Sequence, residues 1–290
     1  MGQSCKGRVA VVTGASRGIG AGIAQRLAAE GAKVAVTARS VEPEDHHLEG
    51  SLRETVAGIE AMGGEAIAVA ADLADPACDR GAIVREAEAA FGGPVDILVN
   101  NAAAAFYIPF VEISEKRFRI ATELNVRSPW DLMQRVIPSM REHGEGWILN
   151  ISSATARRPV GPPFTKTQIG GACIYGGTKA MLDRVTVGVA LECSDDGIAV
   201  NALSPEAAVI TPGAVALVDL PEERIEPMET MVEAALALCT GDPRALTGRV
   251  TYSLSLLKEL RRPVYSLDGR DLVAGWQPDE ISDERLIGAR

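Results

Sequence analysis

The chain of 290 residues lacks a long apolar run, a cluster of basic residues and any close pair of cysteines. A membrane-spanning helix needs about 20 consecutive apolar residues, so no such helix is predicted. The net charge of −10 argues against nucleic acid or an anionic membrane as a partner, because both require a basic face. The N-terminal residues MGQSCKGR lack the apolar centre of a signal peptide. We therefore expect a cytoplasmic protein that binds neither nucleic acid nor membrane.

The five cysteines are odd in number and widely spaced, without a Cys-x-x-Cys pair. This pattern predicts reduced thiols with structural roles. His46 and His47 lie beside acidic residues, but adjacent histidines rarely share one ion and no further ligands follow in register. The sequence therefore predicts no metal site, and residues 41–50 are interpreted as a solvated loop.

A strand-to-helix pattern near the start of the chain is the first feature with chemical meaning. A β-branched run at residues 9–12 is followed by apolar residues at helical spacing over residues 19–27, and Gly14, Gly18 and Gly20 lie at the junction. Glycine permits a tight turn and lets a phosphate approach the amides at the start of the helix. The segment therefore predicts a dinucleotide-binding loop, with a plain strand-to-helix connection as the alternative. Its Gly-x-x-x-Gly-x-Gly spacing differs from the usual G-x-G-x-x-G fingerprint.

Strand and helix patterns alternate along the whole chain, without an internal repeat or a low-complexity linker. Such alternation predicts a single doubly wound α/β domain, with a parallel sheet and helices on both faces. A long helical region is predicted over residues 114–142, with a distortion near Asn125, because Asn and the following Pro129 are unfavourable inside a helix. Residues 154–174 are rich in Pro and Gly and are predicted to form a loop beside the substrate pocket.

The end of the second predicted strand indicates which cofactor is preferred. Ala38 and Arg39 stand where an NAD-binding site places an acidic residue. An arginine suits a 2′-phosphate, and Arg17 in the glycine loop could supply a second cation to the same group. The sequence therefore favours NADP(H), with NAD(H) as the alternative cofactor. Two solvated surface arginines are the alternative interpretation of these residues.

A second motif, Tyr175-Gly176-Gly177-Thr178-Lys179, begins a predicted helix. Residues four apart lie on one face of a helix, so the phenol and the ammonium are predicted to lie close together. The positive charge is expected to lower the pKa of the tyrosine from about 10 by roughly 1 to 3 units, which would make Tyr175 a usable acid and base. Ser153, which follows the fifth predicted strand, could donate a hydrogen bond to the substrate oxygen.

The glycine loop TGASRGIG at residues 13–20, followed in order by Ser153 and the Tyr175/Lys179 pair, resembles the short-chain dehydrogenase/reductase family of classical type over residues 7–252. A looser similarity links the chain to the hydroxysteroid-dehydrogenase-like subgroup. The resemblance implies a Rossmann fold whose seven strands are ordered 3-2-1-4-5-6-7. It also implies an oxidoreductase that acts on CH–OH groups with NAD(P), and a homodimer or homotetramer built through helices near residues 130–141 and 180–192.

The resemblance further implies the residues of the site. Four catalytic positions match the family pattern, with Tyr175 as general acid and base and with a proton path to water through the lysine and the asparagine: Asn125, Ser153, Tyr175 and Lys179. The implied cofactor contacts come from the glycine loop, the ends of the following strands and the catalytic helix: Gly14, Ser16, Arg17, Gly18, Ile19, Gly20, Arg39, Asp72, Leu73, Asn101, Ala102, Tyr175, Lys179, Pro205 and Thr211.

The chain departs from the family pattern at Ala103, at Glu206 and in the long segment between Ser153 and Tyr175. These departures leave a second function open, that of a catalytically weak NADP-binding sensor or scaffold. The Rossmann domain is assigned to residues 1–253, and residues 254–290 are assigned to a C-terminal extension packed on the same domain. Pocket walls are expected from Phe106, Phe164 and residues near Val209 and Val215, which predicts a small to medium apolar alcohol or ketone as substrate.

Overall fold

The computed structural model describes residues 3–164, 171–211 and 225–286. Its strands are β1 (Val9–Thr13), β2 (Lys33–Ala38), β3 (Glu65–Ala70), β4 (Val95–Asn100), β5 (Gly146–Ile151), β6 (Ile198–Ser204), β7 (Ala208–Val209), β8 (Ile225–Glu226) and β9 (Val250–Tyr252). Within these ranges, seven strands form one parallel sheet in the order β3-β2-β1-β4-β5-β6-β9, and β7 pairs with β8. The predicted strand order is confirmed.

The helices cover both faces of this sheet. They are α1 (Gly18–Ala29), α2 (Leu52–Ala61), α3 (Arg80–Phe91), α4 (Glu115–Thr122), α5 (Ser128–His143), α6 (Cys173–Glu192), α7 (Met228–Thr240) and α8 (Ser253–Glu259). Apolar residues of α1, α2, α7 and α8 pack in one core cluster, and those of α3, α5 and α6 pack in another. Alternate residues of β1 belong to the two clusters, because successive side chains of a strand point to opposite faces. The predicted doubly wound domain is thereby confirmed.

The helical region predicted over residues 114–142 is interrupted where the sequence indicated. Between α4 and α5 lies a five-residue π-helix, Glu123–Arg127, which contains the fully buried Asn125. Pro129 lies in the first turn of α5, where its missing N–H is tolerated. A π-helical turn widens the backbone locally and is often found at functional sites. The distortion thus carries Asn125 toward the carboxyl edge of the sheet.

The described part of the C-terminal segment completes the first core cluster. Leu254, Leu257 and Val264 are fully buried in the cluster that contains α1 and α7. A charged network joins the same elements, because Glu233 of α7 accepts hydrogen bonds from Arg26 at 2.8 Å and from Arg262 at 3.1 Å. Removal of one partner from such a buried network leaves an uncompensated charge, so these contacts fix the segment against α7.

Within the described residues, a membrane-spanning helix, a disulfide and a metal-binding cluster are all absent. No helix there combines the length and the apolar character of a membrane span. All five cysteines are free thiols, and burial raises the pKa of Cys5 to about 11. No group of three or more His, Cys, Asp or Glu side chains in these ranges could hold a metal ion.

Candidate active site

The glycine turn between β1 and α1 packs against two neighbouring segments. Gly14 and Gly18 have φ angles of +64° and +58°, in the left-handed region that favours glycine. A Cβ on Gly14 would lie 2.7 Å from the Cα of Ala102, and a Cβ on Gly18 would lie 3.1 Å from the Cγ2 of Thr211. The turn therefore brings the end of β1 together with the end of β4 and with Thr211, which follows β7.

Asn101, which directly follows β4, stabilises the glycine turn by hydrogen bonds. Its Nδ2 donates to the carbonyl of Thr13 at 2.9 Å and to that of Gly14 at 3.1 Å. The backbone N–H groups of Asn101 and Ala102 both donate to the hydroxyl of Thr13 at 3.0 Å. The structure thus places Asn101 and Ala102 in the framework of the turn. It also assigns a role there to Thr13, which the sequence interpretation missed although it ends the first strand.

The start of α1 fits a dinucleotide phosphate. Its N-cap residue, Arg17, makes no side-chain hydrogen bond to the first amides of the helix, and the first turn contains no acidic residue. Unpaired amides and the helix dipole favour an anion at this end. Ser16 is buried below the turn and Ile19 packs on the core, so the backbone is well supported. A Cβ on Gly20 would collide with Asn101 and with the carbonyl of Gly14, so this part of the cradle requires glycine.

Arg17 and Arg39 lie close enough to affect each other. Burial and the charge of Arg39 lower the pKa of Arg17. The Nε of Arg39 lies 3.9 Å from the Oδ1 of Asp72, and both side chains are largely exposed, so this pair adds little stability. The side chain of Leu73, in contrast, is buried in the second core cluster. Two guanidinium groups beside an uncapped helix start make this corner electropositive.

Residues 41–50 form an exposed loop, as the sequence predicts, and the end of this loop contacts the glycine turn. Residues 43–45, His47 and Glu49 are exposed, and no residue of the segment is buried. Arg17 donates from Nε to the carbonyl of Glu49 at 2.8 Å and from Nη2 to that of Gly50 at 2.6 Å. Its Nη1 lies 3.3 Å from Nδ1 of His46. Local polarity predicted the exposure of this loop but not its contacts with Arg17, because these contacts join residues about 30 positions apart.

Ser153 and Tyr175 meet at the carboxyl end of β5. Ser153 begins a short 3₁₀ turn, and its Oγ accepts hydrogen bonds from the backbone N–H of Thr155 at 3.2 Å and from the Thr155 hydroxyl at 2.9 Å. The Tyr175 hydroxyl shares a further hydrogen bond with Ser153. A Cβ on Gly176 would collide with the carbonyl of Thr155, so this glycine lets α6 approach the turn. Thr155 and Gly176 are therefore further residues that shape the site.

Lys179 and Asn125 fix the start of α6. The Lys179 ammonium is buried, donates to the carbonyl of Ile151 at 2.6 Å and lies 6.0 Å from the centre of the Tyr175 ring. Nδ2 of Asn125 donates to the hydroxyl of Thr178 and to the carbonyl of Ala104, both at 3.0 Å, and its Oδ1 accepts from the Ala104 N–H at 2.8 Å. The four predicted catalytic residues are thus brought together, with Asn125 anchored to both neighbouring segments.

The pKa of Tyr175 differs from the sequence expectation. Burial, reinforced by Tyr107, raises the pKa of Tyr175 to about 12, although the hydrogen bond from Ser153 lowers it. Burial likewise lowers the pKa of Lys179 to about 8, an effect that Asp183 opposes. The expectation that Lys179 would bring the tyrosine pKa down is therefore wrong for the free protein, because desolvation outweighs a charge held by the Ile151 carbonyl. Tyr175 is a neutral phenol at neutral pH.

Most of the chain matches the model of a known protein family. The model described as short chain dehydrogenase matches residues 8–219. The chain belongs to this family. The assignment to the short chain dehydrogenases confirms the family that the motifs predicted.

Individual proteins and solved structures are also similar to this chain. Hydroxysteroid dehydrogenase-like protein 2 from Pongo abelii is 31% identical over 277 residues, which cover 94% of this chain but only 63% of that protein. A metagenomic short-chain oxidoreductase solved in complex with NADP is 29% identical, with a TM-score of 0.68 over 86% of this chain and 97% of the other. A blue fluorescent protein from a metagenomic library, solved with NADPH, is 32% identical, with a TM-score of 0.71 and the same coverage of both chains.

Glu206, where this short chain dehydrogenase departs from the family pattern, is bound to the C-terminal segment. Its Oε2 accepts hydrogen bonds from the backbone N–H of Ser255 at 3.1 Å and from the Ser255 hydroxyl at 2.9 Å, in the first turn of α8. Nearby, Glu226 accepts from Ser253 and Thr230, and burial raises the pKa of Glu226 to about 7. Pro205 follows β6 directly. The segment after β6 is therefore tied to α8 by buried carboxylates.

The residues expected to line the substrate pocket differ in their exposure and in their place in the structure. Phe106 is half-buried and Phe164 is 65% exposed, both on loops that follow strands at the carboxyl edge of the sheet. Val209 itself is buried in the core, and the expectation that residues near it line the pocket stays a prediction. Val215 and residues 165–170 lie outside the described residues. Tyr107, which was missed, meets Tyr175 edge-on with ring centres 5.8 Å apart and supplies an apolar neighbour beside the phenol.

Proposed function

We propose that this chain is an NADP(H)-dependent oxidoreductase that transfers hydride between the nicotinamide and a small to medium apolar alcohol or ketone, with Tyr175 as general acid and base. The observation that carries the proposal is the hydrogen bond between Ser153 and Tyr175 at the same sheet edge as the glycine turn. Ligands of doubly wound folds bind at this edge. One pocket can therefore hold a dinucleotide and present a proton donor to a substrate.

The cofactor is proposed to lie on the glycine turn. Gly14, Gly18 and the uncapped start of α1 would hold the phosphates, and Arg17 and Arg39 would hold the 2′-phosphate. When bound, the nicotinamide supplies or accepts the hydride. The choice of NADP(H) is supported by Ala38, which places no acid at the end of β2, and by the two related structures that were solved with NADP or NADPH.

The proton is proposed to come from Tyr175. Because burial holds the pKa of its hydroxyl at about 12, the phenol is protonated at neutral pH and can donate to a carbonyl oxygen. Ser153 can orient that oxygen with a second hydrogen bond. The Lys179 ammonium, held by Ile151, keeps N–H groups for other acceptors and stabilises the negative charge that remains on the phenol after donation. Asn125 acts through Thr178 by fixing the helix that carries both residues.

The proposal is tested by following NADPH absorbance over a panel of apolar ketones and, in the reverse direction, alcohols. Consumption of NADPH with at least one ketone would support the reductase. Tight NADPH binding without turnover across a broad panel would instead favour the sensor or scaffold. The substrate class rests on Phe106 and Phe164 as expected wall residues and on Tyr107, whose ring meets that of Tyr175.

Replacing Arg39 with Glu is expected to weaken NADPH binding by roughly 10- to 100-fold and to leave NADH binding nearly unchanged, because a carboxylate would repel the 2′-phosphate. Dissociation constants for both cofactors from nicotinamide fluorescence titrations measure the effect. Arg85→Glu is the matched control, since both arginine side chains are 64% exposed. A loss of NADPH affinity of the same size in both variants would contradict the assignment and would indicate a general charge effect.

We also propose that the chain forms a homo-oligomer through α5 and α6. Trp130 and Met181 line one groove between these helices, and they remain 45% and 55% exposed, while Leu191 farther along α6 is 76% exposed. Met181→Asp is expected to shift the protein toward monomer in sedimentation velocity, because a charge would be desolvated in the interface. Leu272→Asp, at a position that is 58% exposed in the C-terminal segment, serves as control. A monomeric wild type would refute the oligomer.

A further inference from the structure

We propose that His46 is a positioning residue that aims the Arg17 guanidinium at the 2′-phosphate of NADP(H), and that residues 41–50 thereby determine cofactor specificity. The inference rests on the proposed preference for NADP(H). It adds a residue and a segment that the glycine loop and Arg39 do not include.

Residues 41–50 form an ordered unit, which lets them hold another side chain in place. The Oδ2 of Asp45 accepts hydrogen bonds from the backbone N–H groups of Val41 at 2.8 Å and of Glu42 at 2.9 Å. The carboxylate of Glu42 pairs in turn with Arg53 of α2. The segment is closed on its other side where the Leu52 N–H donates to the carbonyl of Ser40 at 3.0 Å. Both ends are thus anchored to α2.

Gly50 brings this unit into contact with the glycine turn. Its φ is +102°, and a Cβ there would lie 2.6 Å from the carbonyl oxygen of Ser16 and 2.7 Å from the Cβ of Arg17. Only glycine allows so close an approach with this backbone conformation. The carbonyls of Glu49 and Gly50 then accept from two nitrogens on one edge of the Arg17 guanidinium.

The His46 ring makes the third contact with the Arg17 guanidinium, after those of the Glu49 and Gly50 carbonyls. Nδ1 accepts a hydrogen bond from the Leu48 N–H at 3.1 Å and lies 3.3 Å from Nη1 of Arg17, so both neighbours are donors and the ring proton belongs on Nε2. Burial and the charges of Arg17, His47 and Arg39 lower the pKa of His46, which keeps the ring neutral and able to accept at neutral pH. The ring of His47 stacks on it, with centres 4.3 Å apart.

These three contacts leave N–H groups of Arg17 available to a phosphate. A guanidinium has five N–H donors, and the three contacts use one on each nitrogen. One N–H remains on Nη1 and one on Nη2, and both can donate to phosphate oxygens. A side chain fixed in this way loses less conformational freedom when the phosphate binds. His46 therefore contributes to affinity for the 2′-phosphate by its effect on Arg17.

The test is a comparison of NADPH and NADH dissociation constants, from fluorescence titration, for His46→Leu and His46→Asn. Leucine cannot accept from Arg17, and we expect NADPH binding to weaken by roughly 5- to 20-fold, with NADH binding unchanged within about two-fold. The Asn Oδ1 can replace the Nδ1 acceptor, so His46→Asn is expected to restore NADPH binding to within about three-fold of wild type. His143→Leu, at an exposed position at the end of α5, is the matched control.

A second variant tests the contact between residues 41–50 and Arg17 while His46 is retained. Gly50→Ala is expected to push the segment away from Arg17 and to cause the same selective loss of NADPH affinity. Equal losses for NADPH and NADH in His46→Leu would reduce His46 to a structural residue and overturn the inference, as would an unchanged NADPH constant. If wild-type protein binds NADPH no better than NADH, the proposed cofactor preference itself fails. If His46→Leu keeps the clear NADPH preference of the wild type, the proposed role of His46 is wrong, and the proposed preference for NADP(H) stands.

Discussion

Tyr175→Phe is expected to lower kcat for ketone reduction by roughly 10²- to 10⁴-fold, because the variant lacks the only proton donor that we assign to the substrate oxygen. The ring remains, so its edge-on contact with Tyr107 and the packing of α6 are preserved. NADPH affinity should stay within a few-fold of wild type, since the glycine turn and the two arginines are untouched. The rate is read from NADPH absorbance at saturating cofactor and ketone, and affinity is read from fluorescence titration.

The control for this loss is Tyr265→Phe, which removes a hydroxyl from a half-buried tyrosine of the C-terminal segment. Its turnover should match that of wild type. Near-normal reduction by Tyr175→Phe would mean that another group or a water supplies the proton, and the proposed role of Tyr175 would be abandoned. Parallel loss of NADPH binding would point instead to damage at the start of α6.

Gly14→Ala is expected to weaken NADPH binding by at least about 100-fold and to lower the free energy of unfolding by roughly 2 to 4 kcal/mol. Two costs combine at this position. A left-handed residue with a side chain costs roughly 1 to 2 kcal/mol, and the new methyl would lie 2.7 Å from the Cα of Ala102, a backbone atom that cannot rotate away. The glycine turn must then shift away from the end of β4, which also displaces the backbone amides at the start of α1 that would bind the phosphates.

Gly92→Ala separates these two costs. Gly92 has a similar φ of +71°, but a Cβ there would meet no atom within 4 Å. This control is expected to lose only about 1 kcal/mol in urea unfolding and to bind NADPH normally. If both variants lose the same stability and both keep the cofactor, close packing of the turn on β4 is not what shapes the phosphate site.

The sequence by itself determined the fold and predicted those residues of the site that belong to local motifs. The alternation of apolar runs fixed the order of strands and helices, since each pattern spans only one element. The glycine spacing located the turn, because a left-handed backbone excludes other residues locally. Tyr175 and Lys179 could be placed on one face because a helix repeats every 3.6 residues. Even the distortion at Asn125 followed from two residues that a helix disfavours.

Only the tertiary structure decided the electrostatics and the long-range contacts. The pKa of Tyr175 depends on burial by segments far away in the chain, so the nearby lysine predicted the wrong direction. Glu206 is bound by Ser255, 49 residues later, and Arg17 is held by Gly50, 33 residues later. Such pairs leave no periodic signal, because a hydrogen bond needs only the right distance in space. Desolvation and contact between remote segments arise when the chain is packed, and local sequence patterns do not contain them.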